Sequence, residues 1–164
     1  MKKDKKHNGL NKLSKNSFEN WYFKLVDEKE EKTLGILIEM NTTKQGKEAL
    51  IQIIGNTINE DICIYYPAES VKSEEDQIQI EDNILGLNQI SLNIKKEKFE
   101  LKGELTLNHH KRLKKSLWTP GLMGPYKYLP FLESYHEVIS LQHTLTGSLW
   151  LNTDQIVFNE GKGI

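Results

Sequence analysis

Phe99-Glu-Leu101-Lys-Gly103-Glu-Leu105-Thr-Leu107 is the stretch that decides the fold class of this 164-residue chain. Its apolar residues and its glycine occupy every second position, and charged or polar residues fill the positions between them. Alternation with a period of two places one face of a β-strand against a core and the other face in water. The stretch is therefore predicted to be a half-buried strand.

The same alternation continues on both sides of this strand. Residues 90–94 alternate as well, and Lys96-Glu97 joins the two runs, which predicts a hairpin. A later hairpin is predicted from runs at 148–151 and 155–158, with turn residues at 152–154, and Gly161-Lys-Gly163 is predicted to form a tight turn after its second strand. Shorter runs of the same kind lie at residues 35–40, 49–54, 62–66 and 77–80. Strands at this spacing predict an all-β chain, built as an antiparallel sandwich or barrel.

One segment interrupts the pattern. Residues 118–131, with the sequence WTPGLMGPYKYLPF, contain three of the four prolines. Proline lacks the backbone donor that a strand needs, so the segment is predicted to be a long loop rich in proline, glycine and aromatic residues. Its aromatic side chains favour a place over the mouth of the barrel, as a lid on a binding site or as a plug that serves stability alone.

Charge and composition limit the partners of the chain. Residues 1–17 carry six lysines and one aspartate, a net charge of +5, which leaves the rest at −6. We expect residues 1–16 to form a disordered basic tail, with at most a weak contact to anionic lipid, and residues 17–164 to form one domain. An acidic body without a basic face argues against nucleic acid as a partner.

Targeting and redox features indicate a cytoplasmic protein. No apolar run is long enough for a membrane-spanning helix, and the lysine-rich start is not followed by the apolar stretch of a secretory signal. Cys63 is the single cysteine, which excludes an internal disulfide and fits a reducing compartment.

Histidines supply the main candidates for chemistry, because the usual nucleotide, zinc and serine-hydrolase signatures are absent from the sequence. His109 and His110 precede two cations at a strand end and are interpreted as surface residues, so no metal is expected. If its strand runs straight, His143 shares a face with Leu141 and other aliphatic residues and is predicted to point inward, whereas Ser140 falls on the opposite face. It is either a satisfied core residue or a group with a shifted pKa beside a cavity.

A second candidate group lies where the proline-rich segment meets the next strand. Glu133, Tyr135 and His136 are placed there, at the predicted rim of the barrel. A carboxylate beside an imidazole at an apolar rim acts either as a general acid with its orienting partner or as a solvated ion pair.

Four ordered landmarks resemble the tocopherol cyclase family. Residues 18–24, FENWYFK, are similar to the family's FEGWYFK opening. Residues 118–136 carry PGLMGPY and PFLESYH, which resemble its PGxMGP and PFMECYH. Residues 142–149, QHTLTGSL, resemble its HTxxGSL, and residues 161–163, GKG, the start of its GKGYIEKDWG segment. Asn20, Leu132 and Ser134 depart from the family's glycine, methionine and cysteine.

The resemblance implies a fold and a reaction. Members of the family consist of two lipocalin-like β-barrel halves, so residues 17–164 are expected to be the first half, and the chain a truncated form that lacks the second barrel and with it full activity. The implied enzyme closes a chromanol ring without a cofactor. It protonates an alkene of a prenylated phenol or quinol, and the phenol oxygen captures the resulting cation.

The resemblance also implies roles for individual residues. Glu133 or His143 is the expected proton donor, unless the acid belongs to the second half, and His136 and Tyr135 are expected to orient the phenolic head. The expected lining of the cavity is Trp21, Trp118, Met123, Tyr126 and Phe131. Two alternatives stay open: a carrier of isoprenoids or other small hydrophobic ligands without catalysis, and a hydratase that delivers water to an isoprenoid alkene.

Overall fold

The computed structural model describes residues 17–43, 46–74, 76–111 and 140–164. Within these ranges the chain forms one antiparallel sheet of eleven strands, curled into a nearly closed barrel, which confirms the all-β prediction and is consistent with a lipocalin-like barrel. The strands are β1 (Ser17–Val26), β2 (Thr33–Thr43), β3 (Gly46–Gly55), β4 (Ile62–Pro67), β5 (Val71–Ser73), β6 (Gln77–Ile80), β7 (Asn83–Gly86), β8 (Gln89–Lys96), β9 (Phe99–Lys111), β10 (Gln142–Leu151) and β11 (Asp154–Gly163).

The order of strands across the sheet explains how the barrel closes. It runs β4-β3-β2-β1-β11-β10-β9-β8-β7-β6-β5, so the first and last strands of the chain lie side by side. The seam falls between β4 and β5, which a short 3₁₀ turn at Ala68–Ser70 connects. Lys96 Nζ on β8 donates a hydrogen bond to the Cys63 carbonyl on β4 at 2.8 Å. This bond connects the edge strand β4 to the part of the sheet on the other side of the seam.

Each run that the alternation predicted as a strand lies within one of these strands. The hairpin turn after β8 is formed by Glu97 and Lys98, one residue later than predicted. The strand β1 escapes the pattern because aromatic side chains stand on both of its faces: Phe23 is buried while Tyr22 is 50% exposed. The strand β5 has only three residues, and in β7 the adjacent Ile84 and Leu85 break the alternation.

The interior of the barrel is aliphatic. Inward residues of β9 are buried as the alternation requires, and the same holds for the strands on either side. The largest side chains with essentially no exposure are Phe158, Leu25, Leu34, Ile36, Ile38, Ile51, Ile53, Ile78, Ile80, Leu85, Ile90 and Ile94. Burying one such side chain contributes about 1.5–3 kcal/mol, so this shared interior is the main source of stability.

The glycine-rich end of the chain differs from its prediction. Gly161-Lys-Gly163 was expected to form a tight turn after a strand, but β11 continues through Gly163. The irregularity is a β-bulge instead. Glu160 has a positive φ of 62°, and the pairing of β10 with β11 shifts register between Leu145 and Thr146.

Glycines allow the close approach of β9 and β10 at the centre of the sheet. Gly103 has a φ of 138°, and a β-carbon on it would stand 2.3 Å from the Ser148 carbonyl oxygen. Gly147 has a φ of 135°, and its β-carbon would stand 2.3 Å from the Glu104 carbonyl oxygen. Glycine is required at both positions because neither the backbone angle nor the space admits a side chain.

We expect Gly103→Ala to lower the free energy of unfolding by about 2 kcal/mol more than Gly46→Ala does. Gly46 is a matched control: its φ is 147°, yet a β-carbon there meets no atom within 4 Å. Both variants strain the backbone, but only Gly103→Ala forces a side chain onto the neighbouring strand. Urea unfolding followed by circular dichroism measures the difference. Equal losses would show that the backbone angle alone demands glycine.

Candidate functional site

A bulge at the end of β9 reverses which histidine faces the interior. Lys111 pairs with Gln142 and Asn108 with Thr144, so His109 and His110 together oppose a single residue of β10, His143. His109 takes a positive φ of 56°, as a bulged residue does.

The reversal separates the two adjacent histidines. His109 is exposed, and its Nδ1 lies 3.0 Å from Thr144 Oγ1. His110 is partly buried and contacts His143. The interpretation of both residues as surface groups is therefore wrong for His110. Strict alternation would turn His109 inward, but the bulge turns His110 inward in its place.

The bulge at Glu160 has the same effect on β11. Before the bulge, Ile156 and Phe158 are buried; after it, Gly161 and Gly163 are buried and Lys162 is exposed. Without the extra residue, the two glycines would face outward. The two bulges thus flank the same part of β10 and place His110 and Gly163 on the face that His143 occupies.

His110, Ser140 and His143 form what we call the histidine cluster. His143 is 3% exposed and Ser140 is 8% exposed. The two imidazole rings have centroids 5.2 Å apart and are tilted by 48°. The Nδ1 atoms of both rings lie 3.3 Å from Ser140 Oγ, which donates to the Gln142 carbonyl oxygen at 3.0 Å.

Gly163 provides the space that the His143 ring occupies. The two residues are cross-strand partners, and Gly163 is also paired with Leu25 of β1. A β-carbon on Gly163 would stand 2.0 Å from His143 Nε2, so any other residue would displace the ring. Sequence reasoning treated this glycine as part of a turn and missed its contact with the histidine.

The electrostatics of the cluster keep His143 neutral. Burial, and secondly the nearby His110, lower the pKa of His143 to about 4. At neutral pH the ring therefore carries no charge. In the part of the chain that the structure describes, the Nε2 atoms of His110 and His143 are both buried and have no hydrogen-bond partner.

The cluster lies beside the two described residues that flank residues 112–139 in the sequence, Lys111 and Ser140. The Leu141 amide donates to the Lys111 carbonyl oxygen at 2.7 Å, which ties the start of β10 to the end of β9. Several predicted site residues belong to the segment and lie outside the described residues: Trp118, Met123, Tyr126, Phe131, Glu133, Tyr135 and His136.

The two predicted site residues that are described both face the interior. His143 points inward, as predicted, although Leu141 on the same predicted face is 44% exposed because β10 begins only at Gln142. Trp21 on β1 is partly buried against the core, and its Nε1 donates to Glu19 Oε1 at 3.3 Å. Leu25 of β1 lies at the level of His143, because both residues pair with Gly163. Trp21 lies four residues from Leu25, roughly 13 Å along β1, so Trp21 and His143 lie at different levels of the barrel.

Ser140 and His110 were not among the predicted site residues. Ser140 was assigned to the face opposite His143, which assumes a strand that starts before Gln142. Within the described ranges, no group of three or more histidine, cysteine, aspartate or glutamate residues is arranged to hold a metal ion. No described helix has the length and apolarity of a membrane span.

The fold and the cluster define the class of this protein by geometry: a nearly closed antiparallel β-barrel with a pair of histidines, one buried and one partly buried, at one end. Comparisons of the chain with protein-family models, with curated proteins and with solved structures find no match. The geometry and the sequence therefore carry the functional argument.

The pKa of His143 predicts how stability depends on pH. Its folded value of about 4 lies below the ordinary value of 6.5, so the unfolded chain binds the proton more tightly. The contribution of His143 is then complete above about pH 6.5 and is lost as the pH falls toward about 4, by about 3 kcal/mol in total. Urea unfolding at a series of pH values measures this slope.

Matched variants assign the slope to one residue. His143→Gln keeps a polar side chain beside Ser140 and is expected to flatten the pH dependence between about 6.5 and 4. His109→Gln removes the exposed histidine of the bulge opposite His143 and is expected to leave the slope unchanged. An equal slope in the wild type and in His143→Gln would contradict the lowered pKa.

Proposed function

We propose that the chain binds a prenylated phenol or quinol and cyclises it to a chromanol without a cofactor. The observation that carries the proposal is a neutral, buried imidazole in an otherwise aliphatic barrel. The barrel suits the prenyl chain, since removing apolar surface from water contributes about 25 cal/mol per Å². The stretches that resemble the tocopherol cyclase family include His143 and Gly163 and support the same proposal.

The lowered pKa favours one of two roles for His143. Cyclisation adds a proton to the less substituted alkene carbon, and the phenol oxygen then forms a C–O bond with the tertiary cation and loses its own proton. A ring with a pKa of about 4 is unprotonated at neutral pH, so it suits the acceptor of the phenolic proton. Glu133 is then the proposed proton donor, and the reaction is neutral in protons overall.

A carrier without catalysis is the second candidate, and one observation favours it. In the described part of the chain, burial and the neighbouring His110 lower the pKa of His143, and no carboxylate contributes to the shift. An alkene needs a strong, desolvated acid. If residues 112–139 bring none to the cluster, the barrel holds its ligand unchanged.

One assay separates the candidates. The purified chain is incubated with a prenylated hydroquinone in D₂O, and the products are analysed by mass spectrometry and NMR. A cyclase yields a chromanol that carries one deuterium on carbon, because the alkene proton comes from an exchangeable acid. A hydratase yields a product that has gained one water, and a carrier returns the quinol unlabelled. Either of the last two results overturns the proposal.

We expect His143→Gln to lower the rate of ring closure at least about 100-fold, the usual cost of losing a general base. Glu133→Gln is expected to lower it as strongly. His109→Gln is the matched control and should retain the wild-type rate, because its side chain is exposed on the far side of the bulge. Initial rates of chromanol formation measure all three, and full activity in His143→Gln would remove the imidazole from the mechanism.

A further inference from the structure

The hydroxyl of Ser140 is surrounded by three polar atoms. Its oxygen lies 3.0 Å from the Gln142 carbonyl oxygen and 3.3 Å from the Nδ1 atoms of both His110 and His143. Ser140 is 8% exposed, so water does not compete freely for these contacts. The three neighbours therefore use the whole hydrogen-bonding capacity of one hydroxyl, which is one donor and two lone pairs.

The carbonyl fixes the direction of each bond. A carbonyl oxygen only accepts, so Ser140 must donate its single hydrogen to Gln142; otherwise two sets of lone pairs would face each other at 3.0 Å. The serine oxygen can then only accept from the histidines. Each Nδ1 must carry a hydrogen in order to donate to it.

We propose that Ser140 is a positioning residue that holds His110 and His143 as Nδ1–H tautomers, so that both Nε2 atoms keep free lone pairs. The histidine cluster then presents two basic nitrogens at one end of the barrel, both buried and without a partner among the described residues. This inference deepens the proposed function and rests on it for its catalytic consequence: His143 is held in the tautomer that accepts a proton at Nε2.

The backbone fixes the serine in this arrangement. Ser140 lies two residues before the start of β10, and the bond from the Leu141 amide to the Lys111 carbonyl anchors this part of the chain to the end of β9. The bulge at His109 brings His110 to the same hydroxyl. The serine therefore lies where the two strands meet, which is why one hydroxyl reaches both rings.

Tautomers can be read directly by NMR. The chain is labelled with ¹⁵N-histidine, and long-range ¹H–¹⁵N correlation spectra are recorded at neutral pH without any ligand. His110 and His143 are assigned from single His→Gln variants. We expect protonated Nδ1 and bare Nε2 in both rings of the wild type. An Nε2–H tautomer in either ring would overturn the proposal.

Three variants test the role of the serine. Ser140→Ala is expected to convert both rings to a mixture of tautomers, and Ser140→Thr, which restores a hydroxyl, to return both to Nδ1–H. Gly163→Ala is expected to displace the His143 ring and so disturb its contact with Ser140, while His110 keeps its own, so only His143 should change. Unchanged tautomers in Ser140→Ala would assign them to something other than the hydroxyl.

The failure of this inference is distinguishable from the failure of the proposed function. The spectra need no substrate, so Nδ1–H tautomers in a chain that forms no chromanol contradict only the cyclase proposal. Chromanol formation by a chain whose rings are Nε2–H contradicts only the role of Ser140. If Ser140→Ala does not fold, the wild-type spectrum and Gly163→Ala still decide the question. In an active chain, Ser140→Ala should lower kcat about tenfold with little change in KM, and Ser140→Thr should restore it.

Discussion

Side chains alternate between the two faces of a strand, and this alternation is the constraint on which the structure depends. The site exists because two bulges each shift the alternation by one residue. A strict period of two would turn His110 and Gly163 away from the interior. The bulges at His109 and Glu160 add one residue to each neighbour of β10, so that both strands change face beside His143. The rest of the barrel keeps the simple period and is filled by aliphatic side chains.

The cluster differs from Asn83, another buried polar group of the barrel, in being incompletely paired. Asn83 is 2% exposed, but its amide donates to the Ile80 carbonyl and its oxygen accepts from the Asn93 amide. His143 is as deeply buried and leaves Nε2 without a partner in the described ranges. An unpaired buried polar group costs about 1–3 kcal/mol. A cost of this size fits the role in proton transfer that we propose for His143.

The sequence predicted most of the fold because alternation is a local signal. It also predicted the inward position of His143, since β10 keeps its period through that residue. It did not predict His110 or Ser140. A bulge depends on pairing between strands that are distant in sequence, and the start of β10 at Gln142 depends on its bond to Lys111. Neither the bulge nor the start of β10 can be recognised from the periodicity of the sequence. Glu133, Tyr135 and His136 lie outside the described residues.

Geometry gives a physical reason for the glycines that the chain shares with the tocopherol cyclase pattern. A β-carbon on Gly147 would collide with the Glu104 carbonyl, on Gly161 with the Val26 carbonyl, and on Gly163 with the His143 ring. The first is a requirement of sheet packing, while the three nearest atoms in the last case all belong to the imidazole. Because the histidine and this glycine fit each other across two strands, the resemblance at both positions reflects one structural unit, and the proposed chemistry belongs at that end of the barrel.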